Sequence, residues 1–180
     1  MKQLRKAILD TSPLICLYNL NILSNLNLIY EEVRIPRAVQ EEFFEKVSEN
    51  EKTKRFQFLS NFYAQNNSWF IPCNEYGEDL VQIYLADKKM DRGESEALAQ
   101  NQFYDSLFEL ILDEKVAREI AKNNSFEFHG VLYILAILSI KFGIIDYRKA
   151  TTYLKNEQNF RLNEKIIEKA YQDVYSEIFS

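Results

Sequence analysis

Two short apolar runs in this chain end in acid. Lys6-Ala7-Ile8-Leu9 stops at Asp10, and the run from Leu107 to Leu112 stops at Asp113 and Glu114. Runs of this length, rich in branched residues, read as buried strands of a parallel sheet, and open α/β sheets bind ligands beyond the carboxyl ends of such strands. Two carboxylates placed there can share a cation. Glu42, on the helix expected after a second strand, and Glu94, at a helix start, bring to four the acids that could converge. Several oxygen ligands with no well-placed nitrogen or sulfur ligand select Mg²⁺ or Mn²⁺ over zinc or copper. Such an ion polarises a phosphodiester, lowers the pKa of a bound water and neutralises the leaving oxygen. The chemistry these residues point to is metal-assisted phosphodiester hydrolysis.

Each acid also has a plain structural alternative, because the chain carries 27 of them. Asp91 with Glu94 three residues on fits a capping box, and Glu42 fits the solvated face of a helix. Asp10 and Asp113 resist that reading, since a carboxylate at the end of a central strand is costly to bury without a partner. Lys6, Arg37, Lys88, Lys89, Arg92, Lys115 and Arg118 lie near the expected cleft in sequence and could guide a phosphate backbone or simply pair with acids. Arg118 stands out, one helical turn after Glu114. The 11 Tyr and 13 Phe fall mostly at helical spacing, which assigns them to core packing before base stacking. His129 is the only histidine, so no Ser-His or Cys-His nucleophile arrangement arises, and no glycine loop cradles a phosphate.

Strand-like and helix-like segments alternate along the chain, as a parallel sheet covered by helices requires. Ser12 followed by Pro13 reads as an N-cap with proline at the first helical position. An Asn-rich turn spans 19–27. Val33-Arg34-Ile35 is a second strand, and Pro36 starts a helix through Val39, Glu42, Phe43 and Val47. Residues 48–67 continue as helix with Phe56, Leu59, Phe62 and Tyr63 on its spacing, and Trp69-Phe70-Ile71 is a third strand. A helix over 79–86 follows, then a loop into the helix of Glu94, the strand at Leu107, a helix over 115–124 and a short strand at Phe126-Glu127-Phe128. An apolar helix from Leu132 to Ile140 ends near Gly143, and 147–179 forms two amphipathic helices separated by residues 159–162. No repeat or linker divides the chain.

With 47% hydrophobic residues the chain can bury a core, and a length of 180 fits one domain. A net charge of −5 argues against a broad basic nucleic-acid surface, leaving room only for a local basic rim. Cys16 and Cys73 fit neither a disulfide framework nor a metal knuckle, and the start MKQLRKAILD is too short for a signal peptide. The apolar stretch 130–140 is too short to cross a bilayer. The expectation is a soluble cytoplasmic protein with no membrane association.

Ile8-Leu9-Asp10-Thr11-Ser12-Pro13-Leu14-Ile15, Ile35-Pro36 with Val39 and Glu41-Glu42, Asp91-Arg92-Gly93-Glu94-Ser95-Glu96-Ala97, and Leu112-Asp113-Glu114 with Arg118 together resemble PIN-domain proteins over nearly the whole chain. The nearest branch is the predicted nucleic-acid-binding group with an Asp-Thr-Ser-Pro-Leu start, related to the toxin nucleases of toxin–antitoxin pairs. The resemblance implies a three-layer α/β/α sandwich around a mainly parallel sheet, filling residues 1–180, with 146–180 as a C-terminal helical extension. It implies a Mg²⁺- or Mn²⁺-dependent endoribonuclease acting on single-stranded RNA, with a homodimer and a cognate antitoxin protein as partners. Matched position by position, Asp10, Glu42, Glu94 and Asp113 take the acidic catalytic and metal-holding places. Thr11, Ser12, Glu96 and Glu114 support them, and Arg118, Lys115 and Arg92 contact substrate. Two departures stand out: Glu114 where relatives carry a second aspartate, and Val131 where a hydroxyl residue is expected. The aromatic stretch from Phe56 to Tyr63 is also longer than the family pattern. A binding module of the same fold that does not cut is the alternative. A phosphotransferase using Asp10 as nucleophile is disfavoured, because the haloacid type needs a second aspartate two residues on and Ser12 stands there.

Overall fold

Alternation within each strand decides the layers. Ala7 and Leu9 of strand β1 (Arg5–Leu9) are fully buried on one side of the sheet and Ile8 on the other, as the two-residue period of a strand demands. The computed structural model describes residues 5–45, 47–74, 77–86, 90–157 and 162–180. Lys88, Lys89 and the connection at 159–161 lie outside them. After β1 come helix α1 (Thr11–Asn19), a 3-10 turn (Leu23–Leu28), β2 (Tyr30–Pro36), α2 (Arg37–Phe44), α3 (Glu49–Asn66) and β3 (Phe70–Cys73). Then follow α4 (Glu78–Leu85), α5 (Arg92–Phe103), β4 (Glu109–Ile111), α6 (Lys115–Asn123), β5 (Phe128–His129), α7 (Val131–Ile140), α8 (Tyr147–Glu157) and α9 (Glu164–Phe179). The five strands are parallel in the order β3-β2-β1-β4-β5, with Ala7 opposite Val33 on one side and Glu109 on the other. The chain has the expected three-layer α/β/α architecture, with a sheet that is parallel throughout.

The larger core lies on the Ala7, Leu9 and Ile111 face and takes buried residues from α1, α2, α3, α7, α8 and α9. The smaller one lies on the Ile8 and Leu110 face under α4, α5 and α6. Tyr147, Leu154, Ile167 and Val174 of the last two helices are buried in the larger core, which these helices complete by packing against α7. The aromatic stretch also has a structural account. Phe58 and Phe62 of α3 stack, Phe62 meets Phe70 and Trp69 edge-on, and Tyr18 meets Phe43 and Phe58, which clamps α3 to β3, α1 and α2.

Several boundaries differ from expectation for local reasons. Helix α1 begins at Thr11, not after Ser12: Asp10 is extended at the N-cap, its amide still pairs with the Ile111 carbonyl at 3.2 Å, and Pro13 falls third in the helix. The helix expected to run through Val47 ends at Phe44, and Ser48 starts a new one by accepting from the Glu51 amide. Strand β4 starts only at Glu109, since Asp105 and Ser106 take left-handed conformations and leave Leu107 exposed. Strand β5 is Phe128–His129, two residues later than expected, after Ser125 turns with positive φ. Among the described residues no helix is long and apolar enough to cross a membrane.

One polar network is buried under α7. Glu109, 3% exposed, accepts from Tyr30 Oη at 2.6 Å and pairs with Arg5 Nη1 at 3.1 Å, while Arg5 donates to Tyr133 Oη at 2.7 Å and Tyr133 reaches Glu177 of α9. Removing one partner of such a pair leaves an uncompensated charge. Arg5→Met is therefore expected to cost on the order of 3 kcal/mol in urea unfolding, and Arg5→Met with Glu109→Gln to regain most of it. Equal losses in the single and double variants would show that the guanidinium does not neutralise Glu109.

Candidate active site

The carboxyl ends of β1 and β4 and the start of α5 meet at a pocket of about 470 Å³ lined by Asp10, Thr11, Ser12, Glu42, Asp91, Glu94 and Glu114, together with Arg55 and Glu45. Asp10 is 3% exposed. Burial holds its carboxyl well above the usual aspartate range, the neighbouring Glu94, Asp91 and Glu42 push the same way, and the Thr11 amide only partly offsets them.

Glu42 does not lie on a solvated helix face, its plain alternative, but turns inward to line the pocket. Thr11 Oγ1 donates to its Oε2 at 2.6 Å and the Gly93 amide donates to its Oε1 at 3.1 Å. Burial and then Asp91 still raise its pKa. Gly93 is required by this approach: a Cβ there would stand 2.9 Å from Oε2 and 3.0 Å from Oε1. Glu94 does both things the sequence allowed. It closes a capping box, with Asp91 Oδ1 accepting from the Glu94 amide at 2.9 Å and Glu94 Oε2 accepting from the Asp91 amide at 3.2 Å, and it also lines the pocket. Burial and the charge of Asp91 push its carboxyl up to about 7.

Asp113 is set apart from these three. Its Oδ1 accepts from the Val131 amide at 3.0 Å, and it lines an adjoining cleft that shares Ser12 and Glu114 with the acidic pocket. The expected hydroxyl at Val131 is thus matched by a backbone amide. Burial raises the Asp113 carboxyl to about 6, against the opposing pull of the Val131 amide and Arg118. Its Oδ2 is shut from solvent without a hydrogen-bond partner among the described residues.

The remaining predicted residues fall outside the acidic pocket. Glu96 is 1% exposed and accepts from the Ala38 amide at 2.7 Å and Arg92 Nε at 2.9 Å. It thereby supplies a cap that Pro36 cannot give α2, the helix of Glu42. Arg92 is committed to Glu78 and Glu96. Lys115 is largely exposed beside Glu119. Arg118 lies over the Phe128 ring, 5.5 Å from its centroid, and lines the adjoining cleft.

Arg55 and Glu45 line the pocket without having been singled out from sequence. Arg55 is buried, donates to the Phe43 carbonyl at 2.9 Å at the end of α2, and faces the Tyr18 and Phe43 rings. In the sequence it is one charge among many on an 18-residue helix; only the Glu51 four residues earlier hints at a fixed place.

The donor types match a hard divalent cation, since Asp10, Glu42 and Glu94 offer only oxygen, but their ligand atoms do not all come within 4.8 Å of one another, and Arg55 lines the same pocket. A separate group, Glu109, Glu127 and His129, brings ligand atoms within 4.8 Å of one another beneath the sheet's other end. Against a metal there stand Arg5 and Tyr30, which already occupy Glu109.

A protein-family model described as a PIN domain matches residues 6–176. A comparison with curated proteins finds no match.

Two expectations follow from the geometry. Raised carboxyl values mean the folded chain holds protons more tightly than the unfolded one. The stability from Glu94 and Asp113 is thus full below about pH 4 and lost as pH climbs to about 7. The metal-free melting temperature should rise between about pH 8 and about pH 5.5. Scanning calorimetry checks this, and a fall across that interval would contradict it. Gly93→Ala should push the Glu42 carboxylate aside and weaken Mn²⁺ binding by about tenfold or more in calorimetric titration, with the helical circular dichroism retained. Wild-type affinity in that variant would remove Glu42 from the site.

Proposed function

From a chain that belongs to the PIN-domain family, we propose a Mg²⁺- or Mn²⁺-dependent endoribonuclease that hydrolyses phosphodiester bonds of single-stranded RNA. The observation that carries this reading is that buried Asp10 and Glu94 and half-buried Glu42 line one pocket, where the acids outnumber the single cation, Arg55, among the described residues. Asp10, Glu42 and Glu94 would hold the metal, with Asp113 and Glu114 at its edge. When bound, the ion polarises the phosphodiester and lowers the pKa of the attacking water.

The chain's own groups prepare this chemistry. Thr11 and Gly93 fix both oxygens of Glu42, Glu96 fastens the helix that carries it, and the capping box fixes Glu94. Arg118 supplies positive charge beside Asp113 for the substrate backbone. The family resemblance extends the reading to a cytoplasmic toxin held by an antitoxin protein, and to a homodimer.

A binding module that does not cut is the second reading, and it has one observation in its favour. Asp113 is bonded to the Val131 amide and lines the adjoining cleft, not the pocket of the other three acids.

Wild-type protein should cleave a labelled single-stranded RNA only with Mn²⁺ or Mg²⁺ present. Asp10→Asn and Glu94→Gln should each lose about a hundredfold or more in rate, because each removes a charge the metal requires. Both variants should melt at or above the wild-type temperature without metal, since each relieves a buried like-charge contact. Absence of cleavage by wild type and both variants would move the assignment to the binding module, and equal cleavage by all three would remove Asp10 and Glu94 from the site.

A further inference from the structure

Beside the acidic pocket lies a second cleft of about 710 Å³, bounded by α6, α7 and α9. Resting on the ribonuclease reading, we propose that this cleft is a nucleotide subsite, holding the base and sugar that flank the scissile phosphate of a single-stranded RNA. Its size is within the range of about 300–1,000 Å³ that accommodates organic ligands.

Continuity is the first argument. Ser12 and Glu114 line both compartments, so a strand with one phosphate over the acids passes directly into the cleft. Gly130 keeps the passage open. A Cβ there would stand 2.8 Å from Asp113 Oδ1 and 3.7 Å from Arg118 Nη2.

The two walls differ in the way a nucleotide differs along its length. Lys115 and Arg118 rise on the α6 side, and among the described residues the Arg118 guanidinium makes no hydrogen bond or ion pair; it lies over the Phe128 ring and close to Asp113. A braced, permanently charged guanidinium is suited to a phosphate oxygen pair. Opposite it stand Leu132, Ile166 and Ala170, an apolar surface for the face of a base, with Ile166 left 49% exposed. Asp173 and Glu177 edge the same α9 side and repel phosphate, which fixes the direction: phosphate toward α6, base toward α9. His129, stacked on Tyr133 at 3.6 Å between ring centroids, forms part of the floor between them. A protein segment would use the apolar wall but leave Arg118 and the opening to the acids without a role.

The experiment measures anisotropy of a fluorescein-labelled ten-nucleotide single-stranded RNA on the full chain in EDTA. Alongside it, wild-type hydrolysis of bis(p-nitrophenyl) phosphate with Mn²⁺ reads the metal centre alone. Ala170→Trp fills the cleft, and Ile166→Glu places a charge at an exposed position that folding tolerates. Both should raise the RNA Kd by about tenfold or more, the scale of one lost stacking platform. Unchanged affinity in Ile166→Glu, or in Ala170→Trp with wild-type circular dichroism, overturns the subsite and leaves the wall to a protein partner. Weakened RNA binding in the variants, with a wild type that hydrolyses no phosphodiester, keeps the subsite and defeats the ribonuclease reading instead.

Discussion

The constraint on which the site depends is the desolvation of Asp10. Its carboxylate sits at the end of the central strand, between β2 and β4, at the point where the chain turns into α1. Burial alone makes ionisation there expensive, and Glu94, Asp91 and Glu42 add to the cost. A fold does not gain stability from such an arrangement. It is maintained by hydrophobic packing elsewhere, chiefly the sheet faces at Ala7, Leu9 and Ile111 on one side and Ile8, Leu110 and Leu112 on the other. A ligand that brings positive charge would relieve this cost.

Fixing acids that repel one another requires donors placed at short range, and these come largely from the backbone. The Gly93 amide and the Thr11 hydroxyl hold Glu42, the Asp91 amide holds Glu94, and the Val131 amide holds Asp113. Two of those amides lie at or beside glycines where a side chain would collide with the carboxylate it serves. Glu96 works one step further out, fastening the first turn of α2 so that Glu42 arrives at the right height. Arg55 does the same at the other end of that helix, through the Phe43 carbonyl.

Much of this was legible in the residues. Apolar residues followed by acid marked the carboxyl ends of β1 and β4, because the central part of a strand buried on both faces is apolar; Glu109 within β4 is the exception, partnered by Arg5 and Tyr30. Asp91-Arg92-Gly93-Glu94 announced a capping box, since its spacing is set by helix geometry alone. Less local facts were hidden. Nothing near Glu42 in sequence reveals that its partners are 31 and 51 positions away, and its helix pattern alone would leave it solvated. The start of α1 was misread because Ser-Pro is a strong local signal, whereas the pairing of the Asp10 amide with the Ile111 carbonyl is a tertiary one. Arg55 was invisible for the same reason: burial of a charge among aromatics depends on how α3 docks.

One acid opens β4 and another, Asp113, follows two residues after its end, and comparing them separates structure from chemistry. Glu109, at its start, is pushed up to about 7 by burial, yet Arg5 pairs with it and Tyr30 donates to it, and the same guanidinium reaches Tyr133 under α7. That acid is neutralised by the protein and joins β1, β2, β4 and α7 into one network. Nearby His129 is depressed to about 4, first by burial and then by Arg5, so it stays neutral and cannot act as the counter-charge. A dication entering among Glu109, Glu127 and His129 would have to displace Arg5. Asp113, four residues further along the chain, has no such ion pair, and its Oδ2 has no hydrogen-bond donor among the described residues. Two carboxylates flanking the end of one strand thus meet desolvation in different ways: Glu109 is closed by an arginine, and Asp113 is left facing a cleft that opens beside the acidic pocket.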